Sequence, residues 1–340
     1  MPAAELTRLI QKVSTGAVLT TDEIRSALEI MTDGHASPAQ MGAFLMALRV
    51  RGETVEEITG AAQMMRAKMN RVSAPPGAVD IVGTGGDSHG TFNVSTASSI
   101  VAAGAGLKIA KHGNRRVSSL SGASDILTEL GVKVDASPET VAKAINEAGV
   151  GFLWAPMYHP SMKHWAPIRA ELGIRTIFNL LGPISNPAGV TRQVLGVFSL
   201  EWVEPIAHVL ANLGAEHVWV VHGHDGLDEL TTTGATTVAE LKDGTITVFE
   251  VTPADAGLLP AKLADLKGGD AATNAAAIRD LLAGAKGPFR DIVLLNTAAA
   301  LIVGGKAASL TDGVALAVHA IESGAAHAAL DKLIAITNAG

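Results

Sequence analysis

Over the first seventy residues, apolar positions recur at helical spacing and helix start signals separate them. Met41, Phe44, Leu45 and Leu48 fall on one helical face, because residues three and four apart are neighbours along a helix. Three segments have the pattern of a capping box, in which a Ser or Thr and a Glu or Gln satisfy each other's backbone N–H groups: 20–23, 37–40 and 54–57. The pattern predicts a small all-α unit whose apolar stripes form its core or a subunit interface.

After residue 70 the pattern changes. The segment 71–77 has no periodicity and contains adjacent prolines, as in a linker or hinge. Short apolar runs then alternate with helical patterns, which indicates a mainly parallel sheet with helices on both faces. The predicted strands are 79–82, 107–110, 151–154, 193–198 and 217–221, followed by a hairpin of 238–241 and 245–251. The expected fold class is α/β, with a small helical N-terminal domain hinged to a larger domain with a mostly parallel, mixed sheet.

Composition narrows the possible classes of protein. The chain has 340 residues, 48% of them hydrophobic, which suffices for one large domain or two smaller ones. A net charge of -7 with no basic run argues against nucleic-acid binding. The absence of cysteine excludes disulfides and cysteine nucleophiles and fits a reducing compartment. The N-terminal residues lack a signal-peptide pattern, and no apolar run approaches the roughly 20 residues of a spanning helix, so a cytoplasmic location is expected.

Glycines follow the first predicted strand. Gly83, Gly85 and Gly86 let the backbone pass close to a ligand and aim its N–H groups at it. Ser95 or Thr96 is the expected N-cap of the next helix, and a helix start at the carboxyl end of a strand is an anion site. An ordinary tight turn is the alternative, since the pattern matches neither the dinucleotide fingerprint nor the P-loop.

A basic loop follows the second predicted strand. It contains three cations, an amide and two hydroxyls within residues 111–119, which suits a polyanion such as a diphosphate. The alternative is a solvated loop with capping serines. Because Lys111 directly follows a buried strand, the sequence favours the anion site.

Adjacent carboxylates follow the strand 217–221. Asp228 and Glu229 point in different directions and can hold one or two Mg²⁺ ions, whose other positions take water and phosphate oxygens. His222 and His224 also suggest zinc, although no clear third ligand accompanies them. A solvated acidic turn remains the alternative.

A further polar segment covers residues 156–169. Pro160 and Ser161 are expected to begin a helix that carries Lys163 and Arg169 on neighbouring turns. Arg169 can pair with a ligand carboxylate in a bidentate manner, and the alternative is a surface ion pair. His159 and His164, taken alone, are more typical of structural histidines.

Taken together, these strings resemble the anthranilate phosphoribosyltransferase family, the tryptophan-pathway branch of the nucleoside-phosphorylase-like phosphoribosyltransferases. The Lys-His-Gly-Asn-Arg string at 111–115 is the most specific, and the resemblance extends over nearly the whole chain. It is carried by residues 19–20 with the helices that follow them, and by residues 83–87, 93–96, 111–115, 118–119, 159–160, 169, 175–183, 186–187 and 225–229. Arg116 stands where a small residue is common, and Ala123-Ser124 reverses the frequent order. Both departures leave the named ligands intact.

The resemblance implies transfer of the phosphoribosyl group from phosphoribosyl diphosphate to the amine of anthranilate, in tryptophan biosynthesis. The residues implied to contact phosphoribosyl diphosphate are Gly83, Gly86, Asp87, Thr91, Asn93, Val94, Ser95, Thr96, Lys111, His112, Gly113, Asn114, Arg115, Arg116, Val117, Ser118, Ser119 and Ala123. Those implied to contact anthranilate or line its access path are Gly83, Asn114, Arg169, His112 and His159. The implied Mg²⁺ ligands, for two ions per subunit, are Ser95, Asp228 and Glu229.

The resemblance also implies a domain arrangement and a mechanism. Residues 1–70, joined by helices from about 161–185, would form a helical domain through which a homodimer assembles. Residues 77–160 and 190–340 would form the α/β domain. Catalysis would rest on charge stabilisation by Lys111 and magnesium, without a protein nucleophile. A pyrimidine nucleoside phosphorylase and a non-catalytic nucleic-acid-binding relative are the alternatives. The 111–115 string with the Asp-Glu pair argues against the first, and the acidic charge against the second.

Overall fold

The computed structural model describes residues 2–85, 89–115 and 122–340. The chain begins with four helices, and the predicted capping boxes are present at Thr20, Ser37 and Thr54. Each box satisfies N–H groups that a helix leaves unpaired at its start. The helices are α1 Pro2–Ser14, α2 Thr21–Thr32, α3 Pro38–Arg51 and α4 Val55–Lys68.

Among the described residues, seven strands form one sheet in the order β3-β2-β1-β4-β5-β6-β7. Neighbours from β3 through β5 are parallel, while β6 and β7 are antiparallel. The predicted mixed sheet and its terminal hairpin are therefore confirmed. The strands are β1 Val79–Gly83, β2 Ile109–Gly113, β3 Val150–Trp154, β4 Arg192–Gly196, β5 His217–Gly223, β6 Thr236–Lys242 and β7 Thr245–Val251.

The second strand ends later than the sequence predicts. It pairs with β3 as far as Gly113 opposite Trp154, so Lys111 and His112 lie in the strand and not in the loop. Both polar side chains are buried. The sequence predicts that the strand ends at residue 110, where its apolar run ends. It continues through Lys111 and His112 because these buried polar side chains have hydrogen-bond partners inside the protein.

Helices cover both faces of the sheet. The later helices are α5 Val94–Gly104, α6 Ala123–Glu129, α7 Pro138–Glu147, α8 Ala155–Tyr158, α9 Trp165–Leu172, α10 Ile177–Leu181, α11 Val203–Asn212, α12 Ala271–Leu282, α13 Pro288–Val303, α14 Leu310–Glu322 and α15 Ala325–Ala339. Val194 belongs to the core built with α5, α6 and α12–α15, while the next residue, Leu195, belongs to the core built with α1–α4 and α9–α11. Alternation of side chains along a strand requires this division.

The helix predicted to begin at Ser161 is divided in two. A 3₁₀ helix covers Pro160–His164, and α9 begins at Trp165. Pro167 has no N–H to donate to Lys163, so a single α-helical ladder cannot run through this segment. Lys163 and Arg169 consequently lie on different elements, and the prediction that they share one helix is wrong.

Helix length and composition bear on membrane insertion. No single helix among the described residues is long and apolar enough to cross a bilayer. The helices α14 and α15, bent by 64° relative to each other, are together long and apolar enough to cross a bilayer by length and composition only. Their buried apolar residues belong to the core beside α5 and α13.

Candidate functional site

The strands that precede three predicted binding loops share one edge of the sheet. β1, β2 and β5 are parallel, so the loops that follow them leave from the same edge, where α/β proteins bind ligands. The N–H of Gly85 donates to Asp228 Oδ2 at 2.6 Å. Lys111 Nζ donates to Ser95 Oγ at 3.2 Å. The glycine loop thus contacts the acidic pair, and the basic strand contacts the start of α5.

Asp228 lies against two glycines. A Cβ at Gly83 would overlap the carboxylate of Asp228, and one at Gly196 would overlap its backbone carbonyl. Any larger residue at either position requires displacement of Asp228. Gly196 was missed in the sequence analysis, where the only available signal was a glycine within a predicted buried strand.

Lys111 is held inside the protein. Its Nζ donates to the Ile81 carbonyl at 2.8 Å as well as to Ser95, and only 3% of the residue is exposed. Burial lowers the pKa of Lys111, while the charges of Asp80, Glu229 and Asp228 oppose that shift. The side chain therefore links β1 to α5 among carboxylates.

A buried carboxylate lies beneath this edge of the sheet. Asp80 Oδ1 accepts the His112 N–H at 3.1 Å, and Oδ2 accepts Asn186 Nδ2 at 2.7 Å. Asn186 Nδ2 also donates to the Ala110 carbonyl at 2.8 Å. Burial raises the pKa of Asp80 to about 6, against the opposing charge of Lys111. Neither Asp80 nor Asn186 was assigned a role from sequence, since their partners are distant in the chain.

Two histidines face each other beside this carboxylate. The Nε2 atoms of His112 and His159 are 3.3 Å apart, and both residues are buried. Burial lowers the pKa of His112 to about 3 and that of His159 to about 4. Both rings are therefore neutral at pH 7, with one Nε2–H donating to the other ring.

The predicted arginines lie over aromatic rings. The Arg115 guanidinium is 5.2 Å from the Trp154 ring centroid, and that of Arg169 is 5.5 Å from the Phe178 ring centroid. Burial lowers the pKa of Arg169. Among the described residues, no hydrogen bond or ion pair joins Arg169 to Asn114. Asn114 follows β2, and its Oδ1 accepts the Arg115 N–H at 2.7 Å.

The start of α5 differs from the prediction. The helix begins at Val94, with Asn93 in the N-cap position, so the expected caps Ser95 and Thr96 lie inside its first turn. Ser95 Oγ is engaged by Lys111 instead. Asn93 Oδ1 accepts Asn274 Nδ2 at 2.8 Å.

The remaining predicted residues lie around these loops. Thr91 forms an isolated bridge with Lys267, and Ala123 is the first residue of α6, beside Gly113. Glu229 follows Asp228 in the loop after β5. Six predicted residues lie outside the described ranges: Gly86, Asp87, Arg116, Val117, Ser118 and Ser119.

The donor set fits magnesium better than zinc. Ser95, Asp228 and Glu229 offer hard oxygen ligands, while His222 Nδ1 and His224 Nδ1 lie 2.7 and 3.3 Å from backbone carbonyls. Within the described ranges, no three His, Cys, Asp or Glu side chains converge as a complete metal cage. Mg²⁺ needs no such cage, because water and substrate phosphates supply its other ligands.

Family profiles match nearly the whole chain. Residues 7–69 match the helical bundle domain of a glycosyl transferase family, and residues 75–327 match the α/β domain of a glycosyl transferase family. The fold and the site thus define a glycosyl transferase.

Relatives of known name specify the family further. The anthranilate phosphoribosyltransferase of Rhodopseudomonas palustris strain TIE-1 is 62% identical over 97% of this chain and 98% of its own length. That of Parvibaculum lavamentivorans is 61% identical over 97% of each chain. This chain belongs to the anthranilate phosphoribosyltransferase family.

Solved structures agree with this assignment. The Thermus thermophilus anthranilate phosphoribosyltransferase has a TM-score of 0.92 at 44% identity, over 97% of this chain and 99% of that one. The Saccharomyces cerevisiae enzyme, solved in complex with PRPP and Mg, has a TM-score of 0.91 at 31% identity, over 99% of each chain.

Proposed function

We propose that this chain transfers the 5-phosphoribosyl group of phosphoribosyl diphosphate to the amine of anthranilate, giving N-(5-phosphoribosyl)anthranilate and diphosphate. The observation that carries the proposal is the convergence of the glycine loop, the loop after β5, the end of β2 and the start of α5 at one sheet edge. Gly85 donates to Asp228, and Lys111 donates to Ser95. The family's relatives bear the same activity in their names, and the activity belongs to tryptophan biosynthesis.

Phosphoribosyl diphosphate is proposed to lie between the glycine loop and the basic strand. The first turn of α5 and Lys111 lie at this edge and suit a polyanion. The residues 86–88 and 116–121 complete these two loops in sequence. Ser95, Asp228 and Glu229 are the proposed ligands of Mg²⁺, two ions per subunit. The Mg-bound yeast relative supports the choice of metal.

The reaction needs charge stabilisation more than a strong base. The anthranilate nitrogen bonds to the ribose C1 as the C1–oxygen bond breaks, and the bonding electrons leave with diphosphate. The nitrogen then releases one proton to water. Bound Mg²⁺ supplies neutralisation of the charge that develops on that leaving group. Lys111 places its ammonium at the same edge, where its low exposure strengthens its field. Arg169 is proposed to bind the anthranilate carboxylate, with Gly83 and Asn114 as further anthranilate contacts. His112 and His159 are proposed to line the access path.

A direct assay tests the function. Anthranilate is fluorescent, so its loss on mixing with phosphoribosyl diphosphate and Mg²⁺ can be followed continuously. We expect loss only when both the ribose donor and the metal are present. Phosphate-dependent cleavage of a pyrimidine nucleoside without loss of anthranilate would select a nucleoside phosphorylase instead.

The domain division is proposed to follow the packing. α9 and α10 contact α3, and α10 also contacts α4, which supports grouping 161–185 with residues 1–70. The proposed α/β domain comprises 77–160 and 190–340. Three connections would then link the two domains. The Asn70 N–H donates to the Tyr158 carbonyl at 2.8 Å, between the domains, and the Val72 N–H donates to the Pro187 carbonyl at 3.2 Å, between two of the connections.

A homodimer through the helical domain is proposed as well. α3 buries Phe44 and Leu45 but also carries a second apolar face, formed by Ala43, Met46 and Val50. Val50 is 80% exposed in the single chain. An uncovered apolar helical face of this kind suits a subunit contact, and a second copy of the chain offers the same face for a two-fold pairing.

A further inference from the structure

The loop that carries the proposed metal ligands contains a third carboxylate, Asp225, which lies three residues before Asp228. We infer that Asp225 is a positioning residue, which holds the Asp228–Glu229 pair in place, and is not itself a metal ligand. The inference rests on the proposed function, because it assigns a role within the same site.

Three hydrogen bonds occupy the Asp225 carboxylate. Oδ1 accepts the Leu227 N–H at 3.2 Å, while Oδ2 accepts the hydroxyls of Thr231 and Thr233 at 2.7 and 2.5 Å. A Cβ at Gly223 would lie 2.5 Å from Oδ1, so this oxygen packs directly on the strand backbone. Both oxygens thus accept hydrogen bonds from groups within the loop, which fix the direction of this carboxylate.

The threonines tie both sides of the acidic pair together. Asp225 lies three residues before Asp228, and Thr231 lies two residues after Glu229. The hydrogen bond from the Thr231 hydroxyl to Asp225 therefore closes the turn around the acidic pair. Thr231 is fully buried, and its N–H donates to Thr236 Oγ1 at 2.9 Å on β6. The turn is therefore anchored to the sheet.

A second side chain, Asn296 on α13, fixes the residue immediately after the pair. Asn296 Oδ1 accepts the Leu230 N–H at 3.0 Å, and Nδ2 donates to the Leu230 carbonyl at 2.8 Å. The backbone of Asp228 and Glu229 is consequently held before and after the ligands. Such partners orient metal ligands, and their loss typically weakens metal binding about ten- to a hundredfold.

A threonine series tests whether Asp225 positions the pair or binds metal. The double variant Thr231→Val, Thr233→Val removes the hydroxyls but leaves the Asp225 carboxylate intact. Thr232→Val is the matched control, because Thr232 is also fully buried but its hydroxyl has no hydrogen-bond partner among the described residues. Mn²⁺ binding is measured by electron paramagnetic resonance with phosphoribosyl diphosphate present and anthranilate absent, so no turnover is needed.

We expect the double variant to weaken Mn²⁺ binding about tenfold or more, Asp225→Asn to weaken it similarly, and Thr232→Val to leave it unchanged. Wild-type Mn²⁺ affinity in the double variant, with loss in Asp225→Asn, would make Asp225 a ligand and overturn the inference. If the double variant does not fold, the single variant Thr233→Val replaces it in the same Mn²⁺-binding measurement. Wild-type transfer of phosphoribosyl to anthranilate, assayed in parallel, separates failure of this inference from failure of the proposed function.

Discussion

Gly83 lies so close to the Asp228 carboxylate that a Cβ at this position would overlap Oδ2. The last residue of β1 therefore sets where an acidic side chain 145 positions away (228 minus 83) can sit. This relationship explains a glycine by packing, since Gly83 has no positive φ that would require it.

Gly83→Ala is expected to displace Asp228 and to lower Mg²⁺-dependent kcat/KM by about tenfold or more, because metal ligands tolerate little misplacement. The activation constant for Mg²⁺ should rise in the same variant. Gly42→Ala is the control, because a Cβ there meets nothing within 4 Å. Equal kinetics for both variants would contradict the packing argument.

The double variant Asp228→Asn, Glu229→Gln is expected to abolish metal-dependent turnover while the protein stays folded. The amide that replaces the Asp228 carboxylate can still accept the Gly85 N–H through its oxygen, so the loop keeps this contact. Steady-state rates across a Mg²⁺ titration measure the metal-dependent turnover, and circular dichroism of the same samples measures whether the protein is folded. Near-normal rates at saturating Mg²⁺ would remove these residues from the metal site.

Arg169→Ala is expected to raise the KM for anthranilate about ten- to a hundredfold, with a much smaller change for phosphoribosyl diphosphate. The expectation follows from the loss of a charge-assisted pair, which contributes about 1.5–3 kcal/mol. Arg279→Ala, on α12, removes an exposed arginine that bonds only the Glu129 carbonyl among the described residues, and it serves as the control. An equal rise in both KM values would argue against a carboxylate contact.

The buried histidines predict a pH-dependent stability. The pKa of His112 is lowered to about 3 and that of His159 to about 4, by burial. Below about pH 6.5 the unfolded chain binds protons that the folded rings do not, so the free energy of unfolding falls as pH drops from about 6.5 toward 4. Asp80 acts oppositely: its pKa is raised to about 6, so its folded form takes up a proton in the same window.

Urea unfolding at pH 7 and pH 5 measures this dependence. His159→Asn is expected to reduce the loss of stability between these pH values by about 1–2 kcal/mol, since one of the rings that resist protonation is gone. His208→Asn, which changes an exposed histidine on α11, should keep the wild-type dependence. An unchanged or steeper loss in His159→Asn would contradict the lowered pKa of His159 as a source of the pH dependence.

The proposed dimer can be tested on the exposed face of α3. Met46→Glu with Val50→Glu places charge on that face and is expected to give a monomer by light scattering after size-exclusion chromatography. Leu259→Glu is a matched control, because Leu259 is as exposed as Val50, at 80%, but lies outside the helical region. A dimer that survives the α3 changes would place the interface elsewhere.

Local features were predictable from sequence, and long-range ones were not. The capping boxes at Thr20, Ser37 and Thr54 form between residues three apart, so the pattern contains both partners. The extension of β2 to Gly113 depends on pairing with β3, and no local pattern reports that pairing.

The buried polar partners in the site were missed for the same reason. Asp80 meets Asn186 across 106 positions, and Leu230 meets Asn296 across 66. Each of these residues reads locally as an ordinary member of a strand, loop or helix. The resemblance to a known family indicates which residues are expected to contact the substrates. The side chains that hold those residues in place can be identified only from the folded structure.

The hydrogen bonds of Asp80 also bear on when the site forms during folding. They join β1, β2 and the segment before β4, which are remote along the chain, so they close large loops and cost chain entropy before they contribute. Helices α2–α4, with their local caps, can form much earlier. We therefore expect the ability to bind a diphosphate substrate to appear late in folding, so that ligand binding would measure completed folding and not only the formation of secondary structure.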